Sequence, residues 1–291
     1  MIDRAAVARL TGRQVVTLQP LRGGDVAESF LLSLTDGTMV FAKTHRNPPP
    51  GFFTTEAWGL QWLREADALP IPEVIGVSDE PPLLILEWID EGGRAPSTNT
   101  GGDDSEAAFG RALAELHRAG APCFGREDRR TTGSRGLPNE PTETWAEFYA
   151  TQRLEPLARL ATDSAALSVG TLARLADVTD RLEDLGGPAE APARLHGDLW
   201  AGNRLVDRQG RSWLIDPACH GGHREFDLAM MQLFGGFGPA AYAGYHEMYP
   251  LADGWTDRVP LHQLAPLIVH AIKFGGGYAG AADQALRSLG A

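Results

Sequence analysis

Apolar residues recur at strand-like and helix-like intervals in two distinct blocks of the chain. In the first block, DRAAVARL has a short helical period, and three strand-like runs follow it: QVVTLQPL, ESFLLSL and TMVFAKTH. Asp36-Gly37 lies between the last two and predicts a hairpin, because this pair accepts the backbone of a tight turn. FFTTEAWGLQWLREADAL then reads as a helix, ended by Pro70 and Pro72. EVIGVSD and PPLLILEWI complete a small sheet.

At DEGGRAPSTNTGGDDSE the composition shifts to Gly, Ser, Thr and Asp, which predicts a linker or surface loop. Beyond it helical periods dominate, in EAAFGRALAELHRA, ETWAEFYATQRLEPLARLA and GTLARLADVTDRLEDL. A strand-rich island from Leu195 to Asp216 interrupts them, and further helices close the chain. The pattern predicts an α+β architecture. A small sheet lobe with one main helix would span residues 1–89, and a larger, mostly helical lobe residues 90–291. Ligands commonly sit between such lobes.

Composition narrows the class. The 291 residues are 43% hydrophobic and 22% charged, as in an ordinary globular protein. A net charge of −12 argues against nucleic acid as a partner, since a basic face would be required. Cys123 and Cys219 are too few for a disulfide framework. The start of the chain has no apolar signal core, and LLIL at Leu83–Leu86 is far short of a membrane span. A cytoplasmic protein without membrane contact is the expectation.

Candidate chemistry begins at Lys43. Strand alternation puts Met39, Phe41 and Lys43 on one face, so the ammonium must reach solvent or meet an anion. In the following helix Phe53, Glu56, Leu60 and Leu63 share a face, and a carboxylate on an apolar stripe needs a partner. Lys43 is the nearest candidate. A strand lysine held by a helix glutamate is how kinases aim an ammonium at nucleotide phosphates. Gly23-Gly24, between two strands, could bring backbone N–H groups to phosphate oxygens, or could be a plain hairpin. Backbone groups of Glu87 to Ile89 could read adenine, or LLILEWI could be a buried strand.

The sharpest signal is LHGDLWAGN, followed by WLID. His196, Asp198 and Asn203 fit HxDxxxxN, and a Gln209-Gly210 turn could fold Asp216 back beside Asn203. Phosphoryl transfer needs a carboxylate to accept the hydroxyl proton and oxygen ligands for Mg2+ on ATP. Asp198 suits the first task; Asn203 and Asp216 suit the second. Asp227, in EFDLAM, and His196 read as braces for this loop. Cys219, His220 and His223 in CHGGH lack a second Cys/His pair at zinc spacing. Arg126, Arg129, Arg130 and Arg135 read as a solvated loop, or as a contact for an acidic group.

With these residues in place the chain resembles the protein-kinase-like superfamily on its small-molecule side. Leu199-Trp200 follows Asp198 where protein kinases usually carry a lysine, and little chain separates Asp216 from EFDLAM to form an activation loop. The text is most similar to the fructosamine kinase (ketosamine-3-kinase) family, in LHGDLWAGN, IDPACHGGHREFDLAMMQLFGGF, YPLADGWTDRVPLHQL, FGGGY, TEAWGLQWL and WAEFYATQRLEPLARLA. The resemblance implies a bilobal kinase fold and ATP-dependent phosphorylation of the 3-hydroxyl of a ketosamine, free or protein-linked. Such phosphorylation makes the adduct labile, which implies a role in protein deglycation.

By the same resemblance Lys43 binds phosphates, Glu56 orients it, Asp198 is the base, and Asn203 and Asp216 hold metal. Trp200 is a candidate platform for the sugar or its amine, by cation–π contact, or else a packed aromatic. Residues 23–29 lack the cysteine through which some members respond to oxidation, so that switch is not expected. A monomer is expected, with a dimer as the alternative. Two rivals remain open: another small-molecule kinase of this fold, acting on aminoglycosides, choline-like amines or thiosugars, and a nucleotide-binding protein without turnover.

Overall fold

Alternation in the first block becomes a five-stranded antiparallel sheet. In the computed structural model, residues 2–21, 27–91, 102–128, 130–131 and 136–291 are described. Helix α1 (Arg4–Thr11) starts at Asp3, whose Oδ1 accepts from Ala5 N and Ala6 N at 2.8 and 3.0 Å. Strands β1 (Val15–Leu21), β2 (Glu28–Leu34) and β3 (Met39–Thr44) follow, with the expected turn at Asp36-Gly37, where Gly37 takes φ 85°. Helix α2 (Phe52–Arg64) precedes β4 (Val74–Asp79) and β5 (Pro82–Glu87). The sheet order is β1-β2-β3-β5-β4. Leu32, Leu34, Val40, Ala42, Leu83 and Ile85 bury one face of it against Ala6 and Val7 of α1. Leu84 and Leu86 are buried as well, so both faces of β5 are covered and its sequence is a continuous apolar run.

The chain divides into two compact units, Met1–Thr100 with Gly202–Ala218, and Gly101–Ala201 with Cys219–Ala291. The second opens with α3 (Asp103–Arg118), then α4 (Trp145–Tyr149), a π-helical turn at Ala150–Leu154, and α5 (Glu155–Asp163). One helix is predicted across that last stretch. Pro156 has no N–H to offer the Gln152 carbonyl, and the ladder widens there. Helices α6 (Val169–Asp180) and α7 (Leu182–Leu185) replace a second predicted single helix, and β6 (Ala193–Leu195) follows.

The hairpin of β7 (Arg204–Val206) and β8 (Ser212–Leu214) belongs to the first unit: Leu214 N donates to Pro70 O at 3.1 Å, and Arg208 pairs with Asp90 at 3.0 Å. The residue-89 boundary expected from the sequence has these strands in the later lobe. Strand β9 (His220–Gly222) returns to pair with β6 and lies beyond the predicted island. Helices α8 (Glu225–Phe234), α9 (Pro239–Met248), α10 (Trp255–Phe274) and α11 (Gly277–Ser288) complete the second unit. Among the described residues, no helix is long and apolar enough to cross a membrane.

Two features of the second unit generate tests. A Cβ on Gly110 of α3 would fall 1.8 Å from the Ala241 carbonyl oxygen, and one on Gly244 of α9 would fall 2.2 Å from that of Ala107. The two helices therefore touch through their backbones. Gly110→Ala is expected to cost roughly 1–3 kcal/mol or more, read as a lower urea midpoint at unchanged slope.

The second feature is a buried polar group. His223 and His262 lie with ring centroids 5.0 Å apart against Trp145, and Arg258 holds both oxygens of Glu225, at 2.9 and 2.6 Å. Burial, with His262 adding to it, holds His223 down at about 3, against 6.5 when free. The fold thus keeps this ring neutral, so its contribution is intact above pH 6.5 and drains as pH falls toward 3. Between pH 7 and 5 His223 should account for about 2 kcal/mol of lost stability. A His223→Phe variant, compared by urea unfolding at both pH values, should lose that share; an unchanged pH dependence would refute the attribution.

Candidate active site

Three charges meet in the first unit. Lys43 lies on β3 between Ser29 of β2 and Leu84 of β5, and its side chain is buried. Glu56 projects from the apolar stripe of α2, and Lys43 Nζ donates to its Oε1 at 2.8 Å. Nζ also donates to Oδ1 of Asp216, just beyond β8. Burial alone would lower the ammonium's pKa, but the two carboxylates outweigh it and hold Lys43 above its ordinary value. Burial pushes the Glu56 carboxyl up, and Asp216 reinforces that against the pull of Lys43. The ion pair of Lys43 and Glu56 is as the sequence predicts; the second carboxylate is an addition the sequence pattern did not reveal.

The hairpin brings Asp216 back to Asn203. Ile215 N donates to Asn203 O at 3.0 Å, and Asn203 Nδ2 reaches the Asp216 carbonyl at 3.5 Å. Asp216 takes φ 54°, a left-handed backbone that a residue other than glycine adopts at a local cost. Asn203 is buried while the Asp216 side chain is 39% exposed. An amide oxygen and a carboxylate are hard oxygen donors, and two carboxylates against one ammonium leave excess negative charge. This donor set fits Mg2+.

In the second unit, the loop after β6 is built from its backbone. Asp227 of α8, fully buried, accepts from His196 N at 2.7 Å and Gly197 N at 2.9 Å. His117 of α3 lies between Asp227 Oδ2, at 3.3 Å from Nε2, and the Tyr245 hydroxyl of α9, at 2.8 Å from Nδ1. Burial would raise the Asp227 pKa, but His117, His196 and the Gly197 N–H hold it below the ordinary value. His196 Nδ1 accepts from Asp198 N at 3.2 Å. Buried His196 and Leu199 thus flank Asp198, which is only partly covered. Asp227 and His196 brace the loop as expected. His117 and Tyr245 carry no sequence signal for this role beyond a histidine late in an amphipathic helix.

The other candidates separate. Trp200 is 41% exposed and meets Phe234 edge-on at 6.2 Å. Glu87 N donates to Glu73 O at 2.9 Å, and Ile89 O accepts from Glu91 N at 3.1 Å. Gly23 and Gly24 lie outside the described residues, as do Arg129 and Arg135. Arg126 corrects the solvated-loop expectation: it is buried and forked onto Asp128 at 2.9 and 2.8 Å. In CHGGH, Cys219 is buried with its thiol pushed up by burial, and His223 faces Glu225 and His262 instead. Arg258 occupies both oxygens of that carboxylate, which makes the group an ion pair in the core.

This architecture is that of protein-kinase-like phosphotransferases. It matches a choline kinase of Streptococcus pneumoniae with a TM-score of 0.64, over 99% of this chain and 97% of the other, at 15% identity, a likeness of fold alone. A crystal structure of a Thermobifida fusca protein assigned as a fructosamine-3-kinase matches at TM-score 0.89 and 40% identity, over 99% and 98% of the two chains. An Enterococcus faecium protein assigned as a ketoamine kinase is 36% identical over 271 residues, 93% of this chain and 94% of its own. The chloroplastic protein-ribulosamine 3-kinase of Arabidopsis thaliana is 34% identical over 269 residues, 88% and 78% of the respective lengths. The family model for fructosamine kinase matches residues 3–291, and the chain belongs to that family. It is a kinase that phosphorylates a hydroxyl group, and membership implies ATP as donor.

The energetics of the ion cluster are open to test. Lys43→Ala leaves Glu56 buried without its counter-charge, and a carboxyl whose pKa is raised in the fold costs more stability as pH rises, because the unfolded chain ionises it freely. The variant should therefore be destabilised more at pH 8 than at pH 6, measured by urea unfolding. Equal losses at both pH values would mean that Glu56 is not the stranded group.

Proposed function

We propose that this chain phosphorylates ketosamines at the sugar 3-hydroxyl, on fructosamine- or ribulosamine-type adducts, with Mg-ATP as donor. The cluster of Lys43, Glu56 and Asp216 is the observation that carries the reading, because a buried ammonium tied to two carboxylates is a phosphate-directed charge held in place. Family membership and relatives named for ketoamine and ribulosamine substrates support the choice of acceptor.

In this reading Asp198 accepts the proton of the sugar hydroxyl as its oxygen bonds to the γ-phosphorus and the bond to the β–γ bridging oxygen breaks. Lys43 offsets charge on the phosphates, and Glu56 holds its stem in position. Asn203 and Asp216 supply oxygen ligands to magnesium, which when bound neutralises charge on the phosphate oxygens. The Ile89 N–H, near the end of the apolar run, is the backbone donor offered to adenine; Gly23-Gly24 remains the candidate phosphate loop. Trp200 presents an exposed ring to the sugar or its amine.

Radiolabelled ATP and an acceptor panel test the assignment. Fructose-, ribulose- and erythrulose-derived amines should be labelled; turnover confined to an aminoglycoside, choline or a thiosugar would overturn the choice of acceptor. Asp198→Asn should lower kcat by roughly 10²–10⁴-fold with nucleotide affinity retained. A fully active Asp198→Asn enzyme would remove Asp198 as the base.

A further inference from the structure

The second unit buries a cation without a counter-charge. Arg153, in the π-helical turn, is 3% exposed. Its Nη1 donates to Pro138 O at 2.7 Å and to Gln152 O at 2.8 Å, the carbonyl that Pro156 leaves without a helical donor. Its Nη2 donates to Asn139 Oδ1 at 2.6 Å, and the Phe148 ring lies 4.6 Å from Cζ. Three of five N–H groups are thus engaged; Nε–H and one Nη2–H have no acceptor among the described residues. No carboxylate there pairs with Arg153. Burial pulls its pKa below the ordinary value, and only Tyr149 opposes that. Buried guanidinium groups are ordinarily paired, because desolvation costs several kcal/mol.

A small cavity adjoins it, lined among others by Arg153, His220, His223, Trp145, Phe148 and Phe226, with room for about one water-sized occupant. His223 brings a second unmet donor. Its Nδ1 accepts from Glu225 N at 3.3 Å, which puts the proton of the neutral ring on Nε2, and Nε2 has no partner although the residue is 96% buried. The nearby carboxylate of Glu225 is already held on both oxygens by Arg258. Residues that carry unmet N–H groups, aromatic rings and a positive charge therefore line the cavity. A water molecule would satisfy a donor and leave the charge unmatched.

We propose that this cavity binds one small inorganic anion of chloride size, accepting from Arg153 and from His223 Nε2–H. The anion supplies the absent counter-charge and ties the π-helical turn to the β9–α8 junction. Larger oxyanions exceed the space. The inference is independent of the acceptor assigned above, since it concerns the stability of the unliganded chain.

Two measurements decide it. Thermal unfolding at pH 7.5 should show a midpoint a few degrees higher in sodium chloride than in sodium gluconate of equal ionic strength, rising with chloride concentration as binding to the native state requires. Crystals grown in sodium bromide should show an anomalous peak between Arg153 and His223. Arg153→Gln should abolish the chloride increment; because it also alters the helix turn, His223→Phe, which keeps an aromatic ring there, is the second variant and should reduce the increment. Equal midpoints in the two salts, no bromide peak, or an increment unchanged in His223→Phe would each overturn the proposal.

Discussion

An ammonium taken out of water persists only beside negative charge, and Lys43 satisfies that condition from two directions. Glu56 reaches it from α2 and Asp216 from the turn after β8, so one strand residue fixes a helix and a hairpin relative to the sheet. A strand, the helix that follows it and a hairpin whose Asp216 lies 173 residues beyond Lys43 are thus held by charge. In the proposed reaction the excess of one carboxylate matters, because it would leave a hard oxygen for a divalent cation while the ammonium stays charged.

The loop after β6 is held by a different principle. Its His196 and Gly197 N–H groups both end on one buried carboxylate. Against the upward push of complete burial, His117 above all, with His196 and the Gly197 N–H, holds the Asp227 pKa below its ordinary value. The loop's outer residues are free to differ in chemistry because its shape is set from beneath.

Much of this was legible in the linear text. Asp36-Gly37, the apolar spacing of α2 and the HxDxxxxN run depend on neighbours a few residues away, and local physics is what a sequence displays. The Asp216–Lys43 contact joins residues far apart in the chain through a hairpin whose docking onto Pro70 has no local signature. The break in the predicted helix at residues 150–154 turned on Pro156, whose effect falls on the carbonyl four residues before it. Buried Arg126 looked like a solvent-facing charge because burial of a cation is decided by tertiary carbonyls and acids. The role of His117 was hidden for the same reason, since its partners lie on α8 and α9.

The contact between α3 and α9 at Gly110 and Gly244 has a consequence for that histidine. His117 and Tyr245 lie on the two helices whose main chains touch, so the span they must bridge is set by peptide atoms rather than by the sizes of interdigitating side chains. Elsewhere in the helical unit a change of side-chain volume can slide one helix past another. Here the spacing behaves as a fixed gauge, and the polar chain that ends beneath Asp198 keeps its length while the surrounding core drifts in composition.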